Sequence, residues 1–110
     1  MTDLLLPLPV AAYVEAANSH DPARVAACFG TEALVRDEGR LHRGPEAIAA
    51  WAAATATRYA PVIAPLAIAH EEGRCRMRAS VRGAFPGSPV TLQFHFTLAP
   101  QGISALEIAA

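Results

Sequence analysis

The chain has 110 residues, 53% hydrophobic and 17% charged, and nine basic residues against ten acidic ones leave a formal net charge of −1. That length makes one domain with one core, and the near-neutral balance gives no field favouring nucleic acid or an anionic membrane. The high apolar share predicts that some apolar surface lines a cavity or meets a second subunit.

The stretch from Leu4 to Val10 is short, broken by Pro7 and Pro9 and preceded by Asp3, so it reads neither as a leader nor as a membrane span. Pro9 suits the first turn of helix one, whose Val10, Tyr13, Val14 and Ala17 share a face and which ends near Asn18 and Ser19. Asp21 and Pro22 form a cap and first turn for a short helix two, with Gly30 as its expected stop. From Ala33 the period changes to two, putting Ala33, Val35 and Asp37 on one face of a strand. The polar run Glu38 to Arg43 reads as a loop. Gly44 and Pro45 then open helix three, which carries Ile48, Trp51 and Ala52 and reaches about Arg58.

After Tyr59 the pattern is strands: Val62 to Glu71, Arg74 to Ala84, Val90 to Leu98 and Ile103 to Ile108, separated by glycine-bearing turns. Three helices ahead of an antiparallel meander predict an α+β domain, with the helices on the concave face of a curved sheet. Cys28 and Cys75 sit in apolar patterns without a motif, which predicts small buried thiols and a reducing, cytoplasmic setting. No histidine or cysteine pair has metal-site spacing, and no glycine-rich phosphate cradle or nucleophile elbow occurs, so neither metal nor cofactor is expected.

Tyr13 to Asp21, the run ALVRDEG followed by RGPEAIAAW, and GAFPGSPVTLQFHFTL closing with ISALEI together resemble the nuclear transport factor 2-like superfamily, in its SnoaL-like branch. The resemblance implies a cone of bent sheet and three helices around an internal pocket, and a homodimer through the outer sheet face. Within that superfamily Tyr13 and Asp37, 24 positions apart, look like the phenol donor and aspartate base of ketosteroid isomerase. That enzyme's second acid would fall at Phe94, which donates no hydrogen bond. The paired aspartates and arginine of the limonene epoxide hydrolase relatives find a counterpart only in Asp37. Scytalone dehydratase-like chemistry needs histidines in the pocket, whereas the alternation with Phe94 and Phe96 turns His95 outward.

Each candidate also has a plainer reading. Asp37 is a general base if it faces the cavity, or an exposed strand-end acid; Glu38 is its rival, because a shift of one residue exchanges their faces. Tyr13 is a donor to a substrate oxygen or a packed phenol bonded within the protein. Trp51 is pocket wall or core anchor. Phe29, Phe94 and Phe96 are expected to shape the cavity, with His42 near its mouth. Arg74, Arg76 and Arg78 alternate with apolar residues and belong to an outer face. The resulting expectation is an isomerase or cyclase acting on a small apolar carbonyl compound, with a non-catalytic ligand-binding module as the alternative.

Overall fold

Prolines and one capping aspartate set where the helices begin. In the computed structural model, which describes residues 4–110, α1 spans Leu8–Asn18 with Pro9 in its first turn. The second helix, α2, spans Pro22–Ala27, and the Asp21 side chain accepts from the Arg24 backbone N–H at 3.2 Å. A carboxylate there satisfies a donor that the helix itself leaves orphaned. The third, α3, spans Gly44–Tyr59 and stops at Ala60, whose φ of 46° is left-handed.

The strands are β1 (Phe29–Asp37), β2 (Arg40–Arg43), β3 (Val62–Glu71), β4 (Arg74–Arg82), β5 (Val90–Ala99) and β6 (Gly102–Ala109), in one sheet of order β2-β1-β6-β5-β4-β3. The meander β3 to β6 is antiparallel, as its turns predict, but β1 joins β6 in parallel, so the sheet is mixed. It curves without closing. Register shifts between Phe29 and Leu34, Pro65 and Ala67, and Thr97 and Leu98 mark irregularities of the kind that bend strands.

Strand β1 starts at Phe29, ahead of the expected Ala33, and β4 ends at Arg82, short of the expected Ala84; two further differences have local reasons. Gly30 is not the stop of α2 but lies inside β1, where an added Cβ would sit 2.9 Å from the Gln101 side chain; it is glycine for close approach. The run expected as a loop forms β2, turned back by Glu38 at φ 51° and Gly39 at φ 75°. Two consecutive left-handed residues are the signature of a tight hairpin turn.

The concave face carries the core. Val10, Val35, Ile48, Met77, Phe96, Ile103 and Leu106 are all fully buried, each contributing roughly 1.5–3 kcal/mol by leaving water. On the convex face Arg74, Arg76, Arg78 and His95 are exposed, as the alternation requires. Cys75 is buried but Cys28 only half so, its thiol donating to the Arg24 carbonyl oxygen; both are free. No described helix is long and apolar enough to cross a membrane.

Candidate functional site

One end of the concave face is not filled. A cavity of about 400 Å³ opens between α1, α3 and the sheet, its wall including Tyr13, Asp37, Trp51, Tyr59, Ile63 and Phe94. Three connections hold its rim. Asn18 at the end of α1 clamps the start of β3, donating to the Ile63 carbonyl at 2.9 Å and accepting from the Ile63 N–H at 2.7 Å. The His20 ring meets the Pro61 carbonyl oxygen at 2.8 Å. The Ala84 N–H donates to the Tyr59 carbonyl at 2.7 Å, an approach that needs Gly83, where a Cβ would lie 2.5 Å from that oxygen.

Asp37 ends β1 on the same face as Val35 and Ala33, half-buried at the cavity wall. Its Oδ2 accepts from the Trp51 indole N–H at 3.0 Å. Burial pushes its carboxyl above the ordinary range, and the neighbouring Glu38 charge adds to the rise; the Trp51 bond, a backbone bond from Glu38 and His42 oppose it only in part. Glu38 is exposed in the hairpin turn, where its Oε2 accepts from the Tyr59 hydroxyl at 3.0 Å. Both acids therefore reach the cavity lining, Asp37 from within and Glu38 at the mouth.

Tyr13 is 3% exposed, with its ring against Phe29, Phe94 and Phe96 at centroid distances of 6.1, 6.4 and 5.6 Å. Its hydroxyl has no hydrogen-bond partner among the described residues, and no fully buried side-chain oxygen there is left unpaired, so this hydroxyl opens onto the cavity. Burial is the main reason its pKa is raised, with the Asp37 charge next, and the phenol stays protonated.

The structure thus brings Asp37, Tyr13, Trp51 and Phe94 to one cavity and leaves out Phe29 and Phe96, expected as walls, and His42, expected near the mouth. Phe29 and Phe96 are 8% and 1% exposed and do not touch it. They pack behind Tyr13, because its ring fills the space between them and the hollow. His42 lies behind Trp51, ring centroids 6.1 Å apart, since β2 is the outermost strand on that side. Trp51 is both wall and anchor, 9% exposed with its N–H on Asp37. Tyr59, Thr55 and His20 line the cavity unforeseen. The spacing Trp51, Thr55, Tyr59 is a helical stripe that extends the same face of α3 to the mouth. Among the described residues no group of three or more His, Cys, Asp or Glu side chains could hold a metal ion.

Comparisons with known proteins agree with this fold. The model of the SnoaL-like domain matches residues 10–102, and the chain belongs to that family. No curated protein matches the sequence. Among solved structures, a Sinorhizobium meliloti protein provisionally assigned as a polyketide cyclase is 38% identical over 94% of both chains, with a TM-score of 0.89. A Catenulispora acidiphila protein with a ketosteroid isomerase-like fold, in complex with trimethylamine, is 17% identical over 96% of this chain and 87% of its own, TM-score 0.86. An epoxide hydrolase/cyclase-like enzyme of pyran ring formation in salinomycin is 18% identical over 93% of this chain and 87% of its own, TM-score 0.80.

Proposed function

We propose that this SnoaL-like protein is a cofactor-free isomerase or cyclase that moves a proton on a small, largely apolar carbonyl compound. In this reading Asp37 removes a proton from the carbon beside the carbonyl, and Tyr13 donates a hydrogen bond to the oxygen on which negative charge collects. The observation that carries it is the half-buried Asp37 carboxylate at an apolar cavity wall, held by the Trp51 indole and raised in pKa. Desolvation weakens the hold of water on the carboxylate, so proton abstraction is less uphill than for an exposed acid. Tyr13 meets the complementary need, a neutral phenol whose hydroxyl has no protein partner among the described residues.

The relative provisionally assigned as a polyketide cyclase favours ring closure among the reactions this pair would serve. Phe94 lines the cavity, and the family resemblance implies that a steroid isomerase would carry its second acid at that position. Phe94 offers no second donor there, and losing one of two typically costs on the order of 100-fold; steroid isomerisation is not our reading. The test is Asp37→Asn on a substrate found by screening carbonyl compounds. Loss of turnover with an unchanged circular dichroism spectrum is expected, and retained turnover removes the assignment.

A second reading, ligand binding without proton transfer, is favoured by Phe94, a wall residue that donates no hydrogen bond. It predicts a carboxyl pKa for Asp37 at the ordinary aspartate value of about 3.9. We also propose that the outer sheet face, which carries Arg76, Arg78 and His95, contacts a second copy. Sedimentation as a dimer is the expected result, and a monomer at all concentrations contradicts it.

A further inference from the structure

We infer that the cavity takes a ligand with a positively charged end: a small apolar molecule carrying an ammonium or quaternary ammonium group, seated against Asp37 and Glu38. The inference rests on the cavity as the ligand site and not on proton transfer within it. Three side-chain carboxylates line it, Asp21, Asp37 and Glu38, and none of the nine arginines of the chain does. Asp21 stands alone as the cap of α2, whereas Asp37 and Glu38, which accept from Trp51 and Tyr59, are adjacent and concentrate the negative charge.

The walls around that pair are aromatic: Trp51, Tyr59, Phe85 and Phe94 all line the cavity. Ring faces attract a cation within about 6 Å, more strongly where water is thin. The deep end supplies an independent sign of a ligand. The Tyr13 hydroxyl, on a residue 3% exposed, points into the hollow without a partner among the described residues, so a bound molecule is expected to bring an acceptor to it. A ligand with an oxygen at one end and a cation at the other satisfies both.

The opposing charges are few and peripheral. His42 sits behind Trp51, His20 is turned to the Pro61 carbonyl, and Arg58 lies 5.0 Å from the Tyr59 ring centroid without lining the cavity. Within the hollow an anion meets two adjacent carboxylates and no lining arginine, whereas a cation relieves their mutual repulsion.

Trp51 is the only tryptophan and lines the cavity, so its fluorescence reports binding directly. The probes are benzyltrimethylammonium, phenylacetate and the neutral ketone phenylacetone at pH 8. We expect the cation to bind at least about tenfold more tightly than the anion. Glu38→Gln and Asp37→Asn should each weaken the cation several-fold and leave phenylacetone within about twofold, which shows that the cavity itself is intact. Cation and anion binding within about twofold of each other overturns the inference. So does absence of cation binding, or an equal loss of cation and ketone in both variants. None of these results bears on whether Asp37→Asn abolishes turnover, so the two readings fail separately.

Discussion

The two ends of the concave face are built from the same strands and behave differently. On β5, Phe96 belongs to the closed end, 1% exposed among Phe29, Ile103 and Leu106, while Phe94, two residues earlier, faces the cavity. Tyr13 stands at the boundary, its ring packed edge-on into the closed end and its hydroxyl on the open one. The closed end is apolar throughout. The open end collects Asp37, Trp51, Tyr59 and Glu38, which bond to each other in two pairs instead of filling the space. One end secures the fold, and the other keeps a half-buried acid beside a cavity, which a well-packed interior excludes elsewhere.

Breaking the open end should cost activity, and breaking the closed end should cost stability. The largest effect is expected from Asp37→Asn, a loss of turnover on the order of 100- to 10,000-fold. Its melting temperature should rise or hold. A folded pKa above the unfolded value means that Asp37 favours the fold below about pH 3.9 and loses that contribution as pH rises through the folded pKa. A neutral amide escapes that loss, and calorimetry at pH 7 checks it.

Phe96→Ala should instead destabilise by about 3–5 kcal/mol in urea titrations, because its neighbours are too tightly fixed to refill the space. Tyr13→Phe separates the two ends within one residue: the ring stays, so stability holds, while turnover falls about 100-fold with the loss of the donor. Trp51→Phe removes the indole bond to Asp37 and should slow turnover about tenfold while moving the Asp37 pKa further up, since that bond lowers it. His42→Ala is the smallest change, under about threefold in rate, because its ring backs Trp51 and does not touch the cavity.

The fold was legible where local chemistry dictates it. Asp21 with Pro22 announces α2, and the alternation of Arg74, Cys75, Arg76 and Met77 sorts β4 into outer and inner faces that the structure reproduces. What stayed hidden depends on distant partners. The parallel pairing of β1 with β6 joins residues some 70 positions apart, as in Leu34 with Ala105, and leaves no local pattern. β2 escaped because Arg40, Leu41, His42 and Arg43 are mostly exposed on an outer strand, where burial imposes no apolar alternation.

The site was legible in part for the same reason. The period of two put Asp37 on the inner face, but its choice over Glu38 was fixed only by the hairpin turn, which takes Glu38 to φ 51° and out of the strand. Phe29 and Phe96 have the composition of pocket walls, and only the volume of the Tyr13 ring shows that they lie behind one. Tyr59 lay on a readable helical stripe with Trp51, yet its bond to Glu38 spans two elements and no spacing foretells it.

In the proposed role the Asp37 carboxyl faces an apolar hollow and is poised to take a proton. Its carboxyl carbon, followed by NMR across pH in the ligand-free protein and assigned with Asp37→Asn, tests this most directly. A midpoint clearly above the ordinary aspartate value of about 3.9 is expected. A midpoint at or below that value would mean a solvated acid and would contradict that role.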